Sequence, residues 1–122
     1  NMLKTVFDNA LYPIEHLVFQ LSDPNSIDEF IALDREIWTT RMASYDGFIS
    51  KEVWVNTKKP GEVHNVIIWG EMEKWKSIPF EDLREISKEF DEAYGKEYVT
   101  SRRIHKENDH GIHLVNMVVK EV

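Results

Sequence analysis

Four side chains suited to ligand binding or acid–base chemistry lie on two strand-like segments in the middle of this 122-residue chain. Glu52 and Trp54 belong to the first segment, and Asn65 and Trp69 belong to the second. A carboxylate, an amide and two indoles on one sheet face would form the wall of a small-molecule pocket. Glu52 is the catalytic candidate, because apolar neighbours such as the two indoles favour a carboxylate that acts as a general base.

The two segments read as a β-hairpin formed by Phe48–Val55 and Val63–Glu71, with residues 56–61 as its turn. The expected register places Val55 opposite Glu62. This register puts all four candidate side chains on one face of the sheet. A slip of one residue in one strand would separate them.

His16 and Trp38 are further candidates for the pocket lining, from the first strand and the first helix. Each candidate has a structural alternative. The tryptophans could simply pack in the core, as is typical of a small domain. His16 could be a hydrogen-bonded histidine in the core or at an interface. Glu52 could pair with Arg41, and Asn65 could satisfy neighbouring backbone groups.

A histidine-rich segment near the end of the chain has side chains that could ligate a metal: His105, Glu107, Asp109, His110 and His113. Their spacing matches no helical face and no familiar zinc pattern. A solvated loop is therefore favoured, and we expect no metal site. The sequence also lacks a nucleophile elbow, a glycine-rich phosphate loop and a dinucleotide fingerprint, so no cofactor is expected.

Composition narrows the class of protein. A hydrophobic content of 42% in 122 residues fits one domain with its own core. The net charge of −7 argues against nucleic-acid and membrane partners, which need a basic surface. The chain has no cysteine and no apolar segment long enough to span a bilayer, so the cytoplasm is the default location.

The pattern of strands and helices predicts an α+β fold in the order βαββαβ, the ferredoxin-like arrangement with an antiparallel sheet. Residues 1–12 are treated as an N-terminal extension with one or two helical turns, and residues 13–122 as a single domain. The expected elements are strands at Ile14–Leu21, Phe48–Val55, Val63–Glu71, Tyr98–Ile104 and Ile112–Val119, and helices from residue 27 to about Ser44 and over Phe80–Tyr94.

Two helices can cover only one face of such a sheet. The other face carries apolar residues that include Val18, Val66 and Ile68. A second copy packed sheet to sheet would shelter them, so we expect a homodimer that forms an α/β barrel.

The chain resembles a family of small uncharacterised bacterial, largely cyanobacterial, proteins of the dimeric α/β-barrel superfamily, which is related to antibiotic-biosynthesis-type monooxygenases. The resemblance covers about Pro13 to Glu97. It rests on these segments: Glu15-His-Leu-Val-Phe19, Glu36-Ile-Trp-Thr39, Gly47-Phe48, Lys51-Glu-Val-Trp54, Val66-Ile-Ile-Trp69 and Trp75-Lys-Ser-Ile-Pro79.

The resemblance implies a pocket between the sheet and the helices of each protomer. Trp69 is similar to a tryptophan of the haem-degrading branch, but residues 71–82 contain no histidine to ligate haem. Two hypotheses follow. The chain binds a small apolar or aromatic ligand without chemistry, or it is a cofactor-independent monooxygenase acting on a phenolic or quinol-type molecule.

Overall fold

The computed structural model describes residues 2–7, 10–102 and 112–121. Its strands are β1 (Leu3–Phe7), β2 (Tyr12–Leu21), β3 (Phe48–Val55), β4 (Glu62–Trp69), β5 (Tyr98–Arg102), β6 (His113–Leu114) and β7 (Met117–Lys120). Its helices are α1 (Ile27–Leu33), α2 (Thr40–Met42), α3 (Met72–Lys76) and α4 (Phe80–Tyr94), with a π-helical turn (Asp34–Thr39) between α1 and α2. In these ranges no helix is both long and apolar enough to cross a membrane.

The main sheet is antiparallel and has the strand order β3-β4-β2-β5, with β6 pairing to the start of β2. β2 and β4 are the central strands because each has a partner on both sides. Helices α1 and α4 contact each other on one face of this sheet, where the core lies. This arrangement is the predicted ferredoxin-like α+β fold, and the prediction is confirmed.

The predicted hairpin register is wrong by one residue over residues 50–55, whereas an irregularity between Phe48 and Ser50 leaves Phe48 opposite Trp69. Val55 lies opposite Val63 instead of Glu62, and Trp54 lies opposite His64. The turn closes one position later than expected because Asn56 faces Glu62: its backbone N–H donates to the Glu62 carbonyl over 3.3 Å. The shift moves Glu52 and Trp54 onto the face opposite Asn65.

Both ends of the chain also differ from expectation. The N-terminal segment forms strand β1 instead of helical turns, and β1 pairs antiparallel with β7. The expected last strand is divided into β6 and β7, so that only its short first part joins the main sheet. The two termini thus form a separate two-stranded ribbon, defined by β1 and β7.

The core between the sheet and the helices is largely aromatic. Its most deeply buried large side chains are Phe30, Phe90 and Trp69. Trp75 of α3 stacks on Trp69 with the ring planes parallel and the centroids 6.1 Å apart. Helix α4 is followed by Gly95, whose positive φ of 69° favours glycine and stops the helix.

Candidate functional site

A cavity of about 320 Å³ lies between the helices and the inner face of the sheet. Three of the predicted pocket residues line it: Trp38, Asn65 and Trp69. The remaining wall is mostly apolar and aromatic, with Phe19, Trp75 and Tyr98 among its residues. The strand residues among them, Phe19, Asn65, Trp69 and Tyr98, occupy alternate positions whose side chains point toward the helices. Trp38 and Trp75 come from the helical segments.

One row across the sheet brings two charged side chains into this cavity. Lys51 of β3 and Glu15 of β2 both lie beside Ile67 of the central strand β4. All three residues line the cavity. Because directly paired residues share a face, this row gives the inner face one ammonium and one carboxylate.

The most polar part of the wall is formed by Asp34, Lys51 and Asn65. Thr39 contacts Asp34 and Lys51 without lining the cavity, and the four residues together are hereafter the polar corner. Lys51 Nζ donates to Asp34 Oδ2 over 2.5 Å and to Thr39 Oγ1 over 2.7 Å. Asn65 Nδ2 donates to both Asp34 oxygens over 3.3 and 3.4 Å. The ion pair is buried, since the Lys51 and Asp34 side chains are 6% and 5% exposed.

The π-helical turn explains why Thr39 belongs to this corner. In an α-helix, residues three and four apart share a face, and residues five apart do not. In the turn Asp34–Thr39, backbone bonding runs from i to i+5, as between the Thr40 N–H and the Arg35 carbonyl. Thr39 is therefore brought beside Asp34, where its hydroxyl donates to the Asp34 carbonyl over 3.2 Å.

Asn65 presents an unused hydrogen-bond acceptor. The Asp34 carboxylate can only accept, so the Asn65 amide nitrogen must face it and the carbonyl oxygen must face away. Asn65 is 3% exposed, and within the described part of the chain its Oδ1 has no hydrogen-bond partner. Leaving a buried acceptor unpaired costs about 1–3 kcal/mol, so a donor group beside this atom, from a water molecule or a ligand, would stabilise the site.

Two further polar contacts shape the cavity. The Trp69 indole N–H donates to Glu15 Oε1 over 3.1 Å, which holds both side chains in place. The Tyr98 hydroxyl donates to Asp91 in a short hydrogen bond. Burial is the main cause that raises the pKa of Tyr98, and this hydrogen bond is the second cause. The phenol therefore stays protonated and is not a base.

The structure places the other three predicted site residues away from the cavity. Glu52, Trp54 and His16 lie on the outer face of the sheet, because the one-residue change of register reverses the direction of Glu52 and Trp54. Glu52 is exposed and accepts a hydrogen bond from Trp54 Nε1 over 2.9 Å. The pocket wall predicted from Glu52 and Trp54 is therefore wrong.

His16 instead belongs to a network on the outer face. Its Nε2 lies 2.9 Å from Nδ1 of His64, and Nε2 of His64 lies 2.8 Å from Glu62 Oε1. The hydrogen bond with His64, and then the one from Asn56, lower the pKa of Glu62. This network is a structural role for His16, the alternative that the sequence left open.

Sequence reasoning missed Glu15, Asp34, Thr39 and Lys51 as site residues. Asp34 did leave a signal, since it is a charged residue on the otherwise apolar stripe of the first helix. The histidine-rich segment falls mainly outside the described residues, which include His113 but neither His105 nor His110. Among the residues that the structure describes, no group of three potential ligand side chains converges on a metal position.

We predict that Lys51→Met lowers the free energy of unfolding by about 3–5 kcal/mol, because it leaves the buried Asp34 carboxylate without its counter-charge. The double variant Lys51→Met/Asp34→Asn should recover most of that loss, since no buried charge remains. Urea unfolding measures both.

The exposed Arg41–Glu89 pair, with a distance of 3.0 Å, is the matched control. Arg41→Met should cost less than about 1 kcal/mol, as is usual for surface ion pairs. A double variant as unstable as Lys51→Met alone would show that burial of the charge is not the cause.

No family model matches the chain, and no curated protein matches its sequence. Solved structures do match its fold. A monooxygenase from the ActVA-Orf6 gene of Streptomyces coelicolor, in complex with the ligand Nanaomycin D, superposes with a TM-score of 0.54 at 17% identity, covering 75% of this chain and 87% of that chain. SnoaB, a cofactor-independent oxygenase from Streptomyces nogalater, gives 0.53 at 13% identity, covering 82% and 100%.

A dimeric ferredoxin-like protein from an uncultured marine organism gives a TM-score of 0.52 at 12% identity, covering 77% of this chain and 87% of that chain. At identities this low, the structural superpositions establish the fold of the chain and not its activity. The chain therefore has the ferredoxin-like α+β fold found in antibiotic-biosynthesis-type monooxygenases.

Proposed function

We propose that the protein binds a small, largely apolar or aromatic molecule in the cavity between sheet and helices, with Trp38, Asn65 and Trp69 in its wall. The observation that carries this proposal is the buried side chain of Asn65, which lines the cavity and whose Oδ1 has no hydrogen-bond partner among the described residues. Native cores pair nearly all such atoms with protein or water, so an acceptor on a cavity wall is suited to a donor group of a ligand.

The size and lining of the cavity support the proposal. A volume of about 320 Å³ is at the lower end of pockets that hold small organic molecules. The partly buried Trp38 offers a flat apolar surface on the cavity wall on which an aromatic ring can stack. The Streptomyces coelicolor monooxygenase of the same fold is in complex with the ligand Nanaomycin D.

We predict that 2-naphthol binds the unaltered protein and that Ser87→Phe weakens binding at least about tenfold, or about 1.4 kcal/mol. Ser87 lines the cavity, so a phenyl ring placed there occupies space that the ligand needs. Isothermal titration calorimetry measures the affinity.

The exposed Ser44, which does not line the cavity, provides the matched control Ser44→Phe. This variant should bind 2-naphthol as the unaltered protein does. Equal weakening by both substitutions would place the binding site elsewhere.

A second candidate function is the oxygenation of a phenolic or quinol-type molecule without a cofactor. The observation that favours it is the Glu15 carboxylate, which shares the cavity with the polar corner. A base that deprotonates a phenol makes the ring electron-rich enough to reduce dioxygen. Oxidation of a ring methylene to a carbonyl, with release of water, supplies all four electrons that dioxygen accepts, so no separate reductant is needed.

If the cavity performs this reaction, Glu15→Gln should lower oxygen consumption with phenolic substrates at least about a hundredfold, the usual contribution of a general base. An oxygen electrode with a panel of hydroquinones and anthrone-type phenols measures the rate. Glu52→Gln is the control, because Glu52 lies on the opposite face of the sheet. Loss of activity in Glu52→Gln alone would return the catalytic role to Glu52.

The proposal includes a homodimer. Val18, Val66 and Ile68 are already buried within one chain, so they no longer argue for a partner. The ribbon of β1 and β7 does argue for one, because a two-stranded ribbon is marginally stable by itself in water. It exposes four large apolar side chains: Leu3, Val6, Val118 and Val119. A neighbour of the same fold is described as dimeric.

We predict a dimer at micromolar concentration by size-exclusion chromatography with light scattering. Leu3→Lys/Val118→Lys should shift the population toward monomer, because charges on the ribbon oppose its burial. Phe80→Lys is the control, since Phe80 is 70% exposed at the start of α4, away from the ribbon. A monomeric unaltered protein would contradict the proposal.

The cytoplasm is the compartment that we propose for the protein. The chain contains no cysteine, which fits a reducing environment where disulfides do not form.

A further inference from the structure

We infer that Lys51 and Asn65 form a donor–acceptor pair that selects a hydroxyl group on the bound molecule, an inference that rests on the cavity binding proposed above. Both side chains contact the same oxygen of Asp34. Lys51 Nζ lies 2.5 Å from Oδ2, and Asn65 Nδ2 lies 3.3 Å from it. The ammonium and the amide are therefore neighbours on the cavity wall.

Two hydrogen-bonding groups of the polar corner, one N–H of Lys51 and the Oδ1 atom of Asn65, have no partner among the four side chains of the corner. An ammonium has three N–H groups, and Asp34 and Thr39 take two of those of Lys51. Asp34 also takes the amide nitrogen of Asn65, whose Oδ1 has no partner among the described residues. The corner thus offers a ligand one N–H from Lys51 and one oxygen from Asn65.

A hydroxyl group matches this pair because it donates one hydrogen bond and accepts another through the same oxygen. An ether accepts from Lys51 but leaves Asn65 Oδ1 unpaired. A carboxylate also leaves Oδ1 unpaired and adds a negative charge beside Asp34. A charged amine donates to Asn65 but repels the Lys51 ammonium. We therefore expect the cavity to bind a hydroxyl compound more tightly than the matching ether, carboxylate or amine.

Thr39 is a positioning residue in this scheme. It does not line the cavity, but its hydroxyl accepts from Lys51 and donates to the Asp34 carbonyl. The π-helical turn places Thr39 beside Asp34, and the two together fix the direction of the ammonium. Without the Thr39 hydroxyl, one more N–H of Lys51 lacks a partner and the ammonium is free to turn away from the ligand.

The test compares four naphthalene probes by isothermal titration calorimetry: 2-naphthol, 2-methoxynaphthalene, 2-naphthoate and 2-naphthylmethylamine. We expect 2-naphthol to bind at least about tenfold tighter than the methyl ether, because the ether strands a buried acceptor. Asn65→Leu should bring the ratio of the naphthol affinity to the ether affinity close to one, while the ether still binds. Retained ether binding shows that the variant is folded and its cavity intact.

The positioning role has its own readout. Thr39→Val should reduce the ratio between naphthol and ether, Thr39→Ser should restore it, and Thr57→Val, in an exposed turn, should leave it unchanged. Equal binding of naphthol and ether by the unaltered protein, or tightest binding of the naphthoate or the amine, would overturn the inference and leave the binding proposal standing. If none of the four probes binds, both fail.

Discussion

The buried ion pair between Lys51 and Asp34 is the interaction that the rest of the site depends on. Removing two charges from water costs several kcal/mol for each ion, and attraction between them repays this only when the remaining polar groups are also satisfied. Thr39 and Asn65 supply those contacts. The pair also joins the two layers of the fold, since Lys51 comes from the sheet and Asp34 from the helical segment above it.

This constraint divides the core into two parts. At one end, Phe30, Phe90 and Tyr98 pack edge to face with centroids 5.2–5.8 Å apart and fill the space between the layers. At the other end, the inward positions carry polar groups that must satisfy one another and that cannot interdigitate as rings do. The cavity lies between the polar corner and an apolar, aromatic wall that includes Phe19, Trp69 and Tyr98.

The sequence predicted the sheet and the main helices because alternation and helical spacing report burial directly. Helix α4 has its predicted limits, Phe80 and Tyr94. The register failed because residues 56–61 allow the hairpin to close at Val55 or at Asn56, and a slip of one residue reverses every side chain of a strand. The π-helical turn was missed because one extra residue per turn leaves little trace in a short apolar stripe, so Thr39 could not be assigned to the site.

Alternation explains why the sequence could not tell which sheet face holds the site. The inner row of Lys51, Ile67 and Glu15 and the outer row of Glu52, Val66 and His16 belong to the same three strands, one residue apart. Both rows combine a carboxylate, a basic side chain and an apolar centre. What distinguishes them is the layer above: the helices cover the inner row and exclude water from its charges. A pocket in this fold is thus specified by the helix that covers a row as much as by the residues of the row itself.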